Sequence, residues 1–109
     1  MSNIYIPSPL DQLVSAVNSG DLDHFLRLLH EDCIVDDWGT CYKGKQEIRT
    51  WSDRELIGAK GVMTIKSVAI DGGAIHLLSD WKSTFYTGPG RFVFDVQNGR
   101  IKSWKIRAI

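Results

Sequence analysis

The sequence has no long hydrophobic run and no excess of either charge. No segment approaches the roughly 20 consecutive apolar residues that a membrane-spanning helix needs. The start, MSNIYIPSPL, lacks the basic and apolar regions of a signal peptide. The 13 basic and 13 acidic residues cancel, so the chain has no global field that attracts nucleic acid or anionic lipid. We therefore expect a cytoplasmic protein with no nucleic-acid or membrane partner.

The sequence also lacks the patterns of metal, nucleotide and nucleophile sites. Its three histidines show no metal-ligand spacing with one another or with the two cysteines, Cys33 and Cys41. These cysteines flank a turn and could lie on neighbouring strands, but in the cytosol we expect them to be reduced and packed. No glycine loop of the phosphate-binding type and no nucleophile elbow is present. We expect no metal and no other cofactor.

The length and the apolar content are those of one small globular domain. A chain of 109 residues fits a single domain over residues 1–109, and a hydrophobic fraction of 43% is enough for a core. Because so short a chain is only moderately stable alone, a spare apolar sheet face would favour a homodimer. Four tryptophans can wall a cavity as well as fill a core.

Three amphipathic helices are predicted in the first half of the chain. Ser8 and Pro9 suit an N-cap and the first helical position, and Gly20 suits the stop of that helix. Asp21 can cap a second helix, in which leucines and a phenylalanine recur at helical spacing. Gly44 opens the third helix. One side of this third helix carries Ile48, Trp51 and Glu55.

Six strands follow from β-branched residues, alternation and turn signals. They are predicted over residues 33–38, around Tyr42, and over residues 62–70, 74–86, 91–96 and 100–109. The odd residues of the 74–86 strand, from Ile75 to Phe85, are the more apolar and are expected to face inward. Residues 87–90 are interpreted as a loop. Turning both Ile101 and Trp104 inward requires a local bulge or twist in the last strand.

This order predicts an α+β fold, a cone-shaped curved antiparallel sheet packed on three N-terminal helices. A long twisted sheet must cover its apolar face, and the helices are the elements available to cover it. Such a cone leaves a pocket between helices and sheet, where ligands usually bind.

The segments GDLDHFLRLLHEDCIVDDWG, YKGKQEIRTW and FDVQNGRIKSW resemble the nuclear transport factor 2-like superfamily. Within it, the chain is most similar to the SnoaL-like (polyketide cyclase) and ketosteroid isomerase branch. The resemblance covers essentially the whole chain and implies the same cone. It does not specify a reaction, because this fold hosts isomerases, cyclases, dehydratases, epoxide hydrolases, transport factors and binding modules.

The resemblance also implies roles for individual positions. The general base of the isomerase branch is an aspartate at the end of the first strand, and Asp37 matches that position. The tyrosine and aspartate that stabilise the oxyanion there correspond to Leu13 and to Gly90 or Arg91. Both differences remove hydrogen-bond donors, so true ketosteroid isomerase chemistry is not expected.

Asp37 is the catalytic residue that the sequence predicts. It shares a strand face with Val35, which alternation directs into the cone, and burial beside aromatic residues raises the pKa of a carboxyl group. The alternative is that Asp36 and Asp37 cap the turn before Gly39 and remain solvated. A second prediction concerns the cavity wall, whose substrate-binding residues would be Val35, Tyr42, Trp51, Trp81, Phe92 and Trp104. The alternative for each aromatic residue is that it only fills the core.

Two functions remain open at this point. One is a domain that binds a small apolar molecule and acts as a cofactor-free isomerase, cyclase or dehydratase with Asp37 as base. The other is a non-catalytic binding or oligomerisation module. Asp37 in a closed pocket beside a polar partner favours the first function, and a cone filled by side chains favours the second.

Overall fold

The computed structural model describes residues 4–109 and contains three helices and six strands in that range. The first three residues, which belong to the segment inspected for a signal peptide, lie outside the described range. In chain order the elements are α1 (Leu10–Ser19), α2 (Leu22–Arg27), β1 (Leu29–Asp37), β2 (Thr40–Lys43), α3 (Gly44–Glu55), β3 (Val62–Asp71), β4 (Ala74–Lys82), β5 (Gly88–Gln97) and β6 (Arg100–Arg107).

The boundary between α1 and α2 follows the predicted capping signals. Gly20 ends α1 in the left-handed region, with φ at 74°, which glycine adopts at little cost. Asp21 then caps α2, because its side chain accepts a hydrogen bond of 3.1 Å from the backbone N–H of His24. The start of α1 differs from the prediction: the helix begins at Leu10, with Pro9 in the N-cap position instead of the first helical position.

The sheet is six-stranded and curved, with the strand order β2-β1-β6-β5-β4-β3. Strands β3 to β6 form the predicted antiparallel meander, and β2 pairs antiparallel with β1. The pair β1–β6 is parallel. It joins the two ends of the chain, so it has no local sequence signal. This pairing places β1 between β6 and the edge strand β2.

Several strand boundaries differ from the predicted ones. β1 begins at Leu29 because that residue pairs with Ile101 of β6. β4 ends at Lys82, since the Ser83 hydroxyl binds the backbone of the following loop at 2.8–3.1 Å. Phe85 therefore lies in that loop and is 59% exposed, not inward on a strand. Residues 88–90, predicted as a loop, begin β5 and pair with residues 79–81.

The predicted bulge in the last strand is present. Asp95 pairs with Ser103 while the next residue, Val96, pairs with Ile101, so β6 carries one extra residue between its two partners. This extra residue shifts the alternation of side chains along β6. As a result Ile101 and Trp104 both lie fully buried on the concave face.

The helices close most of the concave side of the sheet. Helix α1 contacts β3 at one edge, and α3 contacts β1 and β2 at the other. Asn18 fixes the first of these contacts, since its side chain donates to the carbonyl of Met63 at 2.9 Å and accepts from the N–H of Met63 at 2.7 Å. One end of the cone is packed solid. Its fully buried residues include Leu10, Leu13, Phe25, Leu29 and Ile101.

Candidate functional site

The other end of the cone contains a cavity of about 630 Å³ that opens to solvent. This volume lies within the roughly 300–1,000 Å³ of small-molecule sites. The wall is formed by the end of β1, by β2, α3, the end of β4 and the loop after it, and by β5 and β6. Six of the seven residues predicted for a site line this cavity: Asp37, Tyr42, Trp51, Trp81, Phe92 and Trp104.

Val35 is the seventh, and its placement corrects the prediction. Alternation does direct it to the concave face, but it is fully buried in the core and is not part of the cavity wall. The cavity begins only at the end of β1, two residues further on, where Asp37 takes the same orientation. Val35 therefore packs in the core beneath the cavity.

Asp37 is half-buried at the cavity wall. Its Oδ2 accepts a hydrogen bond of 3.1 Å from Nε1 of Trp51, a residue of α3 that is 2% exposed. Burial of the carboxylate is the main cause that raises the pKa of Asp37, and the negative charges of Glu55 and Asp36 raise it further. The hydrogen bond from Trp51 opposes this shift without cancelling it. The structure thus holds a basic carboxylate beside a polar partner in an apolar cavity.

Asp36, the preceding residue, has the opposite environment. Arg107 of β6 donates to both of its carboxylate oxygens, at 3.1 and 2.8 Å, and the N–H of Gly39 donates to it at 2.8 Å. The hydrogen bond from Arg107 is the main cause that lowers the pKa of Asp36. Asp36 therefore caps the turn, which is the role that the alternative interpretation gave to both acids.

Glu55 also lines the cavity, although the sequence analysis did not select it as a site residue. Its Oε2 accepts a hydrogen bond of 3.0 Å from Nε of Arg54 and forms an ion pair with Nη2 of the same residue at 2.9 Å. Arg54 also donates to the hydroxyl of Tyr42 at 3.1 Å, and the Tyr42 ring stacks on Trp51 with centroids 5.9 Å apart. The signal for Glu55 was present: it follows Trp51 by four residues and so lies on the same face of α3.

Trp104 forms the floor of the cavity and is fully buried. Its ring contacts Phe92, Phe94 and Trp51, with centroid distances of 5.4, 5.2 and 5.6 Å. Within residues 4–109, its Nε1 is the buried side-chain polar atom that lacks a hydrogen-bond partner. Trp104 is therefore both part of the core and part of the wall, so the two interpretations of the aromatic residues are not exclusive.

Trp81 reaches the cavity because Gly61 has no side chain. A Cβ atom at position 61 would lie 1.9 Å from the Trp81 ring, far inside the van der Waals limit. Gly61 lies between α3 and β3, and its contact with Trp81 is long-range, so no local sequence pattern contains it.

The oxyanion donors of the isomerase branch have no counterpart at the corresponding positions. Leu13 is fully buried in the core, Gly90 contributes backbone to the cavity wall, and Arg91 is exposed on β5. The residues with hydrogen-bond donors that line the cavity instead include Thr40, Tyr42, Trp51, Tyr86, Trp104 and Arg107. A ligand oxygen would thus meet a different set of donors here.

Metal, membrane and disulfide features are reported for residues 4–109. No group of three or more histidine, cysteine, aspartate or glutamate residues is placed to hold a metal ion in this range. No helix of the described part has the length and apolar character needed to cross a membrane. The two cysteines are free, as predicted, and burial raises the pKa of Cys33 to about 12. The expected packing holds for Cys33 and is wrong for Cys41, which is exposed on β2.

Comparison with known families agrees with this architecture. The model of the SnoaL-like domain matches residues 10–104. This chain belongs to the SnoaL-like domain family. Its fold is that of nuclear transport factor 2-like and cystatin-fold proteins. No sequence among the curated proteins matches it significantly.

Three solved structures illustrate the range of proteins that share the fold. A candidate polyketide cyclase from Sinorhizobium meliloti is 20% identical, with 94% of this chain and 95% of that chain covered and a TM-score of 0.82. The Δ5-3-ketosteroid isomerase from Mycobacterium sp. is 20% identical, with coverage of 92% and 89% and a TM-score of 0.78. Rv0760c from Mycobacterium tuberculosis, solved with estradiol-17β-hemisuccinate, is 18% identical, with coverage of 89% and 88% and a TM-score of 0.79. At these identities the likeness shows the fold alone.

Proposed function

We propose that this SnoaL-like domain binds a small, largely apolar molecule that carries a carbonyl group, and that Asp37 acts as general base on it. The observation that carries the proposal is the half-buried carboxylate of Asp37 at the wall of an aromatic cavity, held by the indole of Trp51 at 3.1 Å. A base in this environment has a raised pKa and accepts a proton more readily than a solvated aspartate. A cavity that side chains leave open supports ligand binding over a purely oligomerising module, and the position of Asp37 at its wall supports catalysis.

The chemistry that suits one base and no cofactor is proton transfer beside a carbonyl. Asp37 would take a proton from the carbon next to the carbonyl group, and the electrons of the broken C–H bond would form an enolate. Return of the proton at another carbon gives isomerisation. Attack of the enolate on a second carbonyl group gives an aldol-type cyclisation, and expulsion of a β-hydroxyl group gives dehydration. All three reactions share the first step.

The relatives support the apolar, carbonyl-bearing class of ligand. One is a ketosteroid isomerase and another was solved with a steroid ester. The wall of the present cavity is rich in tryptophan, which presents flat apolar surface to fused rings. The different donor set argues for a substrate other than that of the isomerase.

Ligand binding can be tested by thermal shift and tryptophan fluorescence with a panel of bicyclic and steroidal ketones. A ligand at one hundred times its Kd stabilises the fold by about 2.7 kcal/mol. The variant that should block the cavity is Gly90→Val, which places a branched side chain in the wall. A Cβ atom at position 90 meets only ordinary van der Waals contacts, the nearest at 3.5 Å. We expect the variant to remain folded and to lose binding. Equal binding by both proteins would place the ligand elsewhere.

Catalysis can be tested by deuterium exchange at the carbon beside the carbonyl group of a bound ketone, followed by NMR. We expect Asp37→Asn to slow the exchange by about 10²–10⁴-fold, the usual contribution of a general base. The control is Asp53→Asn, an exposed acid on α3 that does not line the cavity. Bound ketone with no exchange in the wild type would assign the domain to the non-catalytic binding class.

Assembly and location are separate parts of the proposal. We expect a homodimer through the outer face of the sheet in a cytoplasmic protein. The support is modest apolar surface on that face, where Ile34 of β1 is 36% exposed and Leu78 of β4 and Val93 of β5 are partly exposed. Light scattering at tens of micromolar should give twice the mass of the chain, and a monomer would contradict the dimer.

A further inference from the structure

We propose that Trp38, Phe85 and Tyr86 form a binding site for the outer end of the ligand, which we name the aromatic collar. The inner, carbonyl end of that ligand would lie at Asp37, so the inference rests on the proposed function. It narrows the ligand class to elongated molecules that carry a flat apolar ring system at the end away from the carbonyl group.

Three two-residue turns join strands in the part of the chain that the structure describes, and two of them have the expected residues. The β3–β4 turn consists of Gly72 and Gly73, with φ at 57° and 88°. The β5–β6 turn consists of Asn98 and Gly99, with φ at 54° and 75°. Such turns need a positive φ at both positions, and glycine and asparagine are the residues that adopt it most easily.

The β1–β2 turn has the same backbone but a different first residue. Trp38 and Gly39 have φ at 55° and 95°. A bulky side chain is disfavoured at such a φ, because its Cβ comes too close to the backbone. Asp36 holds the turn in spite of this, since its Oδ1 accepts from the N–H of Gly39 at 2.8 Å. The carbonyl of Ile106 accepts from the N–H of Trp38 at 3.2 Å. The turn thus keeps a residue that its own geometry disfavours.

The indole ring of Trp38 does not offset this cost by packing in the core. It is 59% exposed and lies outside the hydrophobic core cluster, yet it lines the cavity. A residue held in an unfavourable conformation beside a cavity points to a role in that cavity. An apolar ligand that extends from the cavity would cover the exposed part of this ring.

The loop after β4 brings two further aromatic side chains to the same mouth. Phe85 and Tyr86 are 59% and 51% exposed, and both line the cavity. Ser83 shapes this loop, because its Oγ accepts from the N–H groups of Phe85 and Tyr86 at 3.1 and 2.9 Å. Thr84 fastens the loop to Ala59, whose carbonyl accepts from the N–H and the hydroxyl group of Thr84 at 2.8 and 3.1 Å. Strands β6 and β5 separate β1 from β4 in the sheet, so the collar consists of two separately anchored parts.

The charges of the cavity wall favour an apolar outer end over an anionic one. Arg107 is the basic residue of the wall, and its Nη1 and Nη2 already donate to the two carboxylate oxygens of Asp36. The other charged residues of the wall are the acids Asp37 and Glu55. The aromatic surface that remains exposed at the mouth suits flat rings, because aromatic pairs gain from offset and edge-to-face contacts.

The test compares a steroidal ketone with a bicyclic ketone by isothermal titration calorimetry, in the wild type and in Trp38→Asn. Asparagine suits a positive φ, as Asn98 does, so the variant should be at least as stable as the wild type in thermal denaturation. We expect its Kd for the steroidal ketone to rise about tenfold, the effect of losing roughly 60 Å² of buried apolar area. The Kd for the bicyclic ketone should change far less, because the shorter molecule has no outer ring to lose.

Three further variants sharpen the comparison. Trp38→Phe keeps an aromatic ring and should retain most of the affinity for the steroidal ketone. Ile70→Ala is the matched control, because Ile70 is 66% exposed on β3 and does not line the cavity; it should leave both Kd values unchanged. Phe85→Ala changes the other part of the collar and should weaken the steroidal ketone selectively. It replaces Trp38→Asn in the comparison if that variant does not fold.

Unchanged affinity of Trp38→Asn for the steroidal ketone, or equal losses for both ketones, would overturn the inference. So would a wild-type protein that binds the steroidal ketone no more tightly than the bicyclic one. A clear loss of stability in Trp38→Asn would show that the ring serves the fold and would overturn it too. If neither ketone binds to the wild type, the proposed function fails and the inference fails with it. If both bind and the variants do not distinguish them, only the collar is wrong.

Discussion

The two faces of the sheet at the end of β1 carry the same residue types in opposite environments. On the concave face, Asp37 is half-buried beside an indole, and Cys33 is fully buried. On the convex face, Asp36 is paired with Arg107, and Cys41, its partner on β2, is exposed. A shift of one residue along the strand therefore separates a candidate base from a structural cap. Which acid lines the cavity is decided by strand alternation and not by residue type.

The largest effect on the free energy of unfolding should come from truncating a buried tryptophan, in comparison with an exposed one. Trp104→Ala removes a fully buried ring that packs on Phe92 and Phe94, so we expect the free energy of unfolding to fall by about 3–5 kcal/mol. Trp38 lies at the cavity mouth and is 59% exposed, so Trp38→Ala should change it by no more than about 0.5 kcal/mol. Urea denaturation of both variants measures the contrast. Similar losses would mean that the floor of the cavity is not packed as described.

The cysteines give the next contrast. Cys33→Ser places a hydroxyl group among apolar side chains, and we expect a loss of about 1–3 kcal/mol in the free energy of unfolding. Cys41→Ser, on the exposed strand, should be nearly neutral. A thiol reagent should label one cysteine in the native protein and two after denaturation, because burial raises the pKa of Cys33 to about 12 and keeps its thiol protonated. Rapid labelling of both native thiols would contradict the burial of Cys33.

The aspartates should give the smallest effects, with opposite signs. Asp37→Asn removes an unfavourable half-buried charge and keeps an acceptor for Trp51, so we expect a gain of roughly 0.5–1 kcal/mol at neutral pH. Asp36→Asn removes the acceptor of Arg107 and should lower stability. Thermal denaturation of the two variants and the wild type at the same pH shows whether each substitution raises or lowers stability. A loss of stability in Asp37→Asn would show that the native site favours its charged form.

The dependence of these differences on pH follows from the direction of each pKa shift. The pKa of Asp37 is raised in the folded state, so its ionisation opposes folding as pH rises above the unfolded-state value, and the advantage of Asp37→Asn should vanish in acid. The pKa of Asp36 is lowered, so its contribution to stability is present above the unfolded-state pKa and is lost as pH falls through the folded-state value. Denaturation curves between acid and neutral pH should therefore show the two variants converging on the wild type in acid.

Local signals were enough for much of the fold. The stop at Gly20, the cap at Asp21 and the bulge before Trp104 were predicted, because capping and alternation depend on neighbouring residues. The inward orientation of Asp37 follows from the same alternation. The parallel pairing of β1 with β6 and the early start of β1 at Leu29 depend on contacts across the whole chain. No local pattern contains them.

The site was predicted less completely than the fold, for the same reason. The side of α3 that carries Trp51 and Glu55 was identified, but the hydrogen bonds from Arg54 to Glu55 and Tyr42 depend on how β2 lies against the helix. Val35 was assigned to the wall because alternation gives a face and not a depth. The cavity begins where the helices stop covering the sheet, and that position is a property of the packed structure.

The most direct test of the central claim is a pH titration of the side-chain carboxyl carbons of Asp36 and Asp37, observed together by ¹³C NMR in the wild-type protein. The account predicts a midpoint for Asp37 above the ordinary aspartate value and a midpoint for Asp36 below it. Coincident midpoints, or a lower midpoint for Asp37 than for Asp36, would contradict the claim that the two faces of one strand end separate a base from a cap.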